Sequence, residues 1–380
     1  MAKGTSIILC LAVAALITLG LVVLASASAT WDSSSEQYSY LVRQIGWLVI
    51  GVGVMITMAL IDYRILQKFA WPMFVVVCVA LALCYVPGIG DEVGGAKRWI
   101  KLPLIGRFQP SEAAKLVVMV ALASWFAKYQ AEIKSFVRGF VVPSLILGVP
   151  SMLILFEMDM GTTAGLGGAG AIVLFVAGTR FRYLGLTLLV AGAASVALVQ
   201  SDPVRMKRVT AYQDLEAHKQ DVGLQQYLAE QAYGNGGVWG MGLGNGVVKQ
   251  MNMPEHHTDF IFPVMGEELG VFATMGVVFC FVLIFLVGLG ISLQAPDRFG
   301  GVLGIGITAA LIIPAMMNIG VTTAVLPNSG LPLPFVSYGG SSLVFSFAML
   351  GVLLSILRRS HAVKVTEMPT VKSKVLEVRL

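Results

Sequence analysis

Charge is what this chain has least of. Asp, Glu, Lys and Arg make up 12% of its 380 residues, where a soluble globular domain carries roughly a quarter. With 57% hydrophobic residues and a mean hydropathy of +0.82, that deficit excludes an ordinary soluble domain. Cysteine is also sparse: Cys10, Cys78, Cys84 and Cys280 all fall in apolar runs, which reads as small core residues rather than a disulfide framework or zinc set. No Gly-Lys-Ser/Thr follows the glycine-rich stretch and no strand precedes it, so a nucleotide P-loop is excluded. Neither a Ser-His-Asp nor a Cys-His set is evident. The formal charge of +5 comes without a basic stripe or motif, which fits contact with anionic lipid and gives no sign of nucleic-acid binding.

What remains is apolar and long. Ten runs stand out: residues 5–29, 42–61, 69–86, 111–127, 139–156, 162–178, 183–199, 267–291, 301–323 and 341–357. Each approaches the ~20 residues that a helix needs to cross hydrocarbon. They are too continuously apolar for barrel strands, and in lipid the helix satisfies its own backbone. The first run resembles a signal peptide, with Lys3 ahead of it and Ala25-Ser26-Ala27 behind; its long apolar core favours a retained helix. The expected fold is therefore an all-α polytopic membrane protein with ten transmembrane helices. Residues 1–357 form the membrane unit, including a large outer loop, 200–266, between the seventh and eighth helices, and 358–380 form a tail.

Charge positions orient this bundle. With the amino terminus cytoplasmic, the inner loops carry Arg64 and Lys68, then Lys128, Lys134 and Arg138, then Arg180 and Arg182, then Arg298, with six more cations in the tail. That is the positive-inside pattern, and an even number of spans returns the carboxyl end to the cytoplasm. The outer side then holds the loop around Asp32 and Glu36, the loop 87–110 and the large loop.

Three polar clusters share that outer side. In the large loop, residues 201–231 are polar, with Arg205, Lys207 and Arg208 near their start; 234–246 then reads GNGGVWGMGLGNG, seven glycines in thirteen residues. Such density implies turns and close backbone approach, and both a flexible loop and an anion-binding nest are open. The loop ends at Pro254-Glu255-His256-His257-Thr258-Asp259-Phe260, with Glu267-Glu268 eight residues beyond Asp259. The spacing is not that of a zinc protease motif. A carboxylate here suits a base near an attacking hydroxyl, while Thr258 or Asp259 equally suits the cap of the following helix.

The second cluster, GGAKRWIKLPLIGRFQPSEAAK, supplies Lys97, Arg98, Lys101 and Arg107, then Pro110 and Ser111 as a helix start. Glu112 and Lys115 at i,i+3 can pair on one helix face. The cations fit either membrane anchoring or phosphate binding, and Trp99 fits an interfacial anchor. The third, NIGVTTAVLPNSGLPLPFVSYGGSS from Asn318 to Ser342, has Pro327, Pro332 and Pro334, which forbid regular helix. Broken backbone at membrane depth is tolerated only where protein or a cavity satisfies it. The segment therefore reads as the wall of a central cavity, or else as an outer loop with a cap at Ser341 or Ser342.

These clusters together resemble the SEDS family, the shape, elongation, division and sporulation proteins. The matching segments are GGAKRWI and FQPSEAAK, GMGLGN, MPEHHTDFIFPVMGEELG and GLPLPFVSYGGSSL, and the likeness spans essentially the whole chain. Asn245 in GMGLGN and Gly266 in VMGEELG lean toward the division-type members over the elongation-type ones, which are the close alternative. Ala113 replaces the more usual leucine of FQPSELAK, a change between apolar residues.

The resemblance implies a peptidoglycan glycosyltransferase that polymerises lipid II into β-1,4-linked strands with inversion, releasing undecaprenyl pyrophosphate. Asp259 matches the family's essential acidic residue, as base or organiser of the acceptor hydroxyl. Lys97 and Arg98 lead as pyrophosphate contacts, with Arg205 and Arg208 behind them. Glu112 and Lys115 organise the cavity, His256 and His257 position the Asp259 segment, and Ser337, Tyr338 and Ser341 offer hydroxyls around it. No organic cofactor is called for; a divalent cation, Mg or Mn, is compatible with a carboxylate whose ordinary pKa is about 4. The implied partners are lipid II, the lipid-linked strand, a class B penicillin-binding protein and other membrane proteins of the division machinery, at the septum of the inner membrane. A lipid II flippase and a non-catalytic scaffold are the readings from other classes. The small residues Gly161, Gly165, Gly168 and Ala169 allow close helix packing, more readily within this chain than against a partner.

Overall fold

The computed structural model of the chain describes residues 2–28, 38–93, 96–102, 106–201, 203–250 and 257–367. The first half contains α1 (Ala2–Ser28), α2 (Ser39–Leu60), the short α3 (Arg64–Lys68), α4 (Ala70–Leu83), strands β1 (Gly90–Val93), β2 (Ala96–Leu102) and β3 (Gly106–Phe108), α5 (Pro110–Lys128), α6 (Val142–Phe156) and α7 (Met160–Ala177). Then follow α8 (Phe181–Ser201), α9 (Pro203–Gln213), α10 (Leu224–Gly236), α11 (Ile261–Leu293), α12 (Arg298–Thr322) and α13 (Gly340–Glu367). Among the described residues eight helices are long and apolar enough to cross a membrane; Ala70–Leu83 and Phe181–Ala197 are apolar but shorter. The third expected span, 69–86, thus yields a helix of 14 residues.

Helix α5 is the core. Pro110 occupies its first turn, where a missing N–H costs nothing, and nearly every residue from Pro110 to Phe126 is buried. A helix apolar on all sides belongs inside a bundle, and α4, α6, α7, α12 and α13 surround this one. Helix α7 turns its small residues inward: Gly161 lies against the Ser329 carbonyl, Gly165 against Pro314 and Gly168 against Ile313. Within the chain, these residues serve close packing on α12 and its following segment.

The structure departs from the sequence expectation in four places. Within the expected loop, the three strands form an antiparallel sheet of order β1-β2-β3, with Asp91 opposite Trp99 and Lys101 opposite Arg107. Helix α11 begins at Ile261, ahead of the apolar run that starts at 267, and is two helices broken at Gly270 (φ 76°, ψ −173°). The glycine-rich stretch is not a loose loop: Gly240, at φ +77°, brings the backbone so close to the Glu268 carbonyl that a Cβ would lie 2.2 Å from it. Met241 N–H donates to Glu267 O and Gly242 N–H to Glu268 O, at 2.9 and 3.0 Å. Finally, α13 continues to Glu367, ten residues past the apolar limit at 357.

Arg98 docks the sheet on the bundle. Its guanidinium donates to Met158 O at 2.6 Å and Glu157 O at 3.4 Å, and stands 3.9 Å from Asp159 Oδ2. Asp159 caps α7, accepting from the Thr162 N–H and hydroxyl at 2.9 Å each. Glu157, 1% exposed, has no hydrogen-bond partner for either carboxylate oxygen by geometry. Burial, reinforced by the Asp159 charge, pushes its carboxyl up to about 8, against the opposing pull of the Cys84 thiol and Arg98.

Two outcomes follow from these positions. Gly270→Ala puts a Cβ 2.4 Å from Val238 O at a φ of +76°, and is expected to cost more than about 2 kcal/mol, read as a lower melting temperature in detergent. Between the unfolded value of 4.5 and about 8, the folded state keeps the Glu157 proton that the unfolded chain releases. Stability therefore falls as pH rises through that window. Glu157→Gln removes the titration, so the mutant-minus-parent difference in melting temperature should grow from acid to pH 9; a flat difference contradicts the burial argument.

Candidate active site

Asp259 stands in the turn 257–260 that leads into α11. The N-cap position of α11 falls on Phe260 and not on Thr258 or Asp259. The backbone of the turn is instead engaged from across the bundle. Asn318 Nδ2 donates to Asp259 O at 2.7 Å, and the Tyr338 N–H donates to His257 O at 3.0 Å. Helical winding consequently starts after Phe260, and the half-buried Asp259 carboxylate lies beside Gly330, where an added Cβ would come within 3.4 Å of Oδ2. The His257 ring packs on Tyr40, centroids 4.7 Å apart, and Tyr338 completes the group at 5.1 Å from Tyr40.

The proline-rich connector between α12 and α13 starts at the surface, with Val325 64% and Leu326 38% exposed, and then turns inward: Leu331, Leu333, Phe335 and Val336 are each at most 3% exposed. Its broken backbone is paired by side chains from distant helices. Asn318 Nδ2 also donates to Leu331 O at 2.6 Å. Gln44 of α2 donates to Ser337 O at 3.1 Å and accepts from Gly339 N–H at 3.2 Å. The Ser337 hydroxyl accepts the Leu333 N–H at 2.8 Å, so this residue organises the connector itself. Ser341 does not act by capping; its hydroxyl accepts the Gln109 N–H at 3.2 Å, tying the connector to the start of α5. Tyr338 is half-buried, and desolvation, partly countered by Arg43, pushes its phenol up.

One turn into α5, Lys115 Nζ meets Glu112 Oε2 at 2.7 Å with both side chains buried, the i,i+3 pair that the sequence spacing predicts. The cations of the sheet are separated by function. Lys97 is exposed on β2 while Arg98 is committed to the turn before α7. Gln109 Nε2 reaches Asp159 Oδ2 at 3.4 Å, which links that turn to the α5 entrance. Arg205 and Arg208 lie on α9, and His256 lies outside the described residues. Among the described residues no three His, Cys, Asp or Glu side chains converge on a metal site. A cation here would need substrate oxygens to complete its shell, as Mg²⁺ commonly does with phosphates.

Sequence reasoning passed over Glu157, Asp159, Gln44 and Lys249. The first two had a signal: they are the only charged residues between Arg138 and Arg180. Gln44 and Lys249 had none, since a single amide or cation at the edge of a polar loop is unremarkable until its burial is known.

The motif segments that lie far apart in sequence are thus mutually bonded around Asp259. A profile of the FtsW/RodA/SpoVE family, described as cell cycle proteins, matches residues 7–362. A probable peptidoglycan glycosyltransferase FtsW from Geobacter sulfurreducens is 38% identical over 355 residues, covering 93% of this chain and 95% of that protein. Among solved structures, a chain from a study of how a peptidoglycan synthase complex coordinates polymerization and crosslinking superposes with a TM-score of 0.78 at 27% identity, covering 93% of this chain and 97% of its own. The rod shape determining protein RodA of Thermus thermophilus gives 0.69 at 27% identity, covering 93% and 96%. The chain therefore belongs to the FtsW/RodA/SpoVE family, the SEDS proteins, and its most similar curated relatives are of the FtsW type.

Proposed function

We propose that this protein is a peptidoglycan glycosyltransferase of the division type, which joins lipid II units into β-1,4-linked glycan strands. The observation that carries the reading is the meeting of three distant segments at one carboxylate: Asn318 and the connector hold the Asp259 turn, and Ser341 joins the connector to α5. The FtsW-type relatives across nearly the whole chain support the same activity.

The chemistry is inverting substitution at C1 of the lipid-linked MurNAc on the growing strand. The acceptor's GlcNAc 4-hydroxyl attacks, the C1–O bond to undecaprenyl pyrophosphate breaks, and the hydroxyl proton passes to the Asp259 carboxylate. An ordinary carboxylate is a weak base at neutral pH, so placement supplies what basicity does not. The pyrophosphate leaves as a stable anion and needs neutralisation more than protonation; Lys97 is exposed for that task. Glu112 and Lys115 neutralise each other and stiffen the floor beneath. Asp259 would hold a divalent cation, which would supply charge neutralisation for the departing pyrophosphate.

The eight long helices and the two shorter apolar ones make ten spans. The positive-inside pattern sets both termini in the cytoplasm and Asp259 outside. A class B penicillin-binding protein at the septum is the partner, supported by likeness to a chain from a complex that couples polymerization with crosslinking.

Asp259→Asn keeps shape and removes basicity. In purified protein with its partner and labelled lipid II, it should lower strand formation by about 10²-fold or more with the melting temperature unchanged. Normal polymerisation by this variant sinks the assignment, and lipid translocation by a parent that makes no strands selects the transporter.

A further inference from the structure

The side chain that the mechanism leaves unused is Lys249. Its Nζ lies 2.6 Å from Glu268 Oε1, and both side chains are 0% exposed. Ser26, at the end of α1, completes the group: its hydroxyl donates to Glu268 Oε1 at 2.8 Å and accepts from Lys249 Nζ at 3.1 Å, while its carbonyl lies 3.4 Å from the same Nζ. The neighbouring carboxylate does a parallel job. Glu267 Oε1 accepts the Val247 N–H at 3.1 Å, the Val248 N–H at 3.2 Å and the Asn235 amide at 3.0 Å. Gly246 lets the chain approach, since a Cβ there would stand 2.9 Å from Glu267 Oε2 and 3.1 Å from Glu268 Oε1. Two adjacent carboxylates of α11 therefore grip residues 246–249.

The location of this grip gives it a consequence. Lys249 precedes Asp259 by ten residues and Glu268 follows it by nine, so the pair joins the two feet of a segment with Asp259 at its middle. A fully buried ion pair is an expensive way to gain stability, because desolvation offsets most of the attraction; apolar residues of similar volume often do as well. What such a pair supplies is a single register, since every slipped arrangement strands a charge out of water. The far side of the segment is fixed independently, by Asn318 on Asp259 O and Tyr338 on His257 O.

We infer that Lys249 and Glu268 are positioning residues for Asp259: their buried pair fixes the first turns of α11 against residues 246–249 and so where the Asp259 carboxylate stands just ahead of that helix. The inference rests on the role proposed for Asp259, and neither residue is assigned to touch the reacting atoms. Lys249→Met and Glu268→Gln each leave one buried charge unpaired, whereas the double variant removes both. Ser26→Ala, which deletes one bond to Glu268, is the milder variant should a single charge deletion prevent folding.

Two measurements on the full-length protein with its partner decide the matter. The first is hydrogen–deuterium exchange of the amides at 247–248 and 257–262. The second is steady-state polymerisation of lipid II per folded protein. Each single variant should exchange faster in these amides and lose about tenfold or more in kcat, with KM within about twofold, as expected when a catalytic group is displaced; the double variant should recover both to within about threefold. Ser26→Ala should shift both in the same direction by less. Unchanged exchange in the single variants overturns the clamp, and so does faster exchange with unchanged kcat. A double variant with restored exchange but the low kcat of the singles also overturns it, because the charges would then act in the reaction itself. If the parent makes no strands, the polymerase reading fails and exchange alone decides whether the pair fixes the segment.

Discussion

Everything around the site depends on one requirement: backbone that leaves the helix inside a membrane bundle must find its hydrogen bonds within the protein. Asn318 meets it at the critical place. Its amide nitrogen donates to Asp259 O and Leu331 O together, so one buried side chain on α12 pins the loop before α11 and the connector after α12 to each other. The prolines of the connector make such a device necessary, because Pro327, Pro332 and Pro334 prevent helix and donate nothing. Gln44 repeats the solution one helix away, binding Ser337 and Gly339. The half-buried Asp259 thus stands on backbone whose shape is dictated by amides on α2 and α12.

Buried charge follows the same economy of partners. The Glu112–Lys115 and Lys249–Glu268 pairs are the two ion pairs in which both side chains are almost wholly buried among the described residues. One stands at the start of α5 and the other joins the glycine-rich segment to α11. In low dielectric neither member can be lost without stranding its partner, which makes both pairs poor places for variation and good places to fix geometry. The glycines belong to this design: at Gly240 and Gly246 the backbone lies where any side chain would meet the Glu267–Glu268 backbone or carboxylates.

The division between what could and could not be read from the sequence follows from these contacts. Apolar runs revealed the bundle, because burial in lipid requires only length and hydropathy, and the Glu112–Lys115 spacing announced its own pair. The glycine-rich stretch stays open in the sequence because glycine density signals either freedom or close approach, and only the partner backbone at Glu267 and Glu268 decides which. The sheet at 90–108 was hidden for a related reason: in AKRWIKL only Ile100 is deeply buried besides Ala96 at the strand's start, so alternation was too weak to separate a strand from a charged loop. Asp259 was legible as a site residue through its neighbours in sequence. The anchoring of its backbone was not, since that depends on Asn318, which lies fifty-nine residues away.

The cations of the outer sheet show how structure sorts residues that sequence treats alike. Arg98 takes the two carbonyls before α7 and approaches Asp159, and Arg107 binds Asp91 at 2.7 Å; elsewhere Arg298 donates to Ala177 O and Arg358 to Leu60 O. A planar fork of donors suits such fixed acceptors. Lys97 and Lys101 remain at the surface, as compact point charges on flexible stems. Such mobile ammonium groups adapt to an anion more readily than guanidinium groups already bonded to the scaffold. Arg98 keeps in place the sheet that carries these lysines.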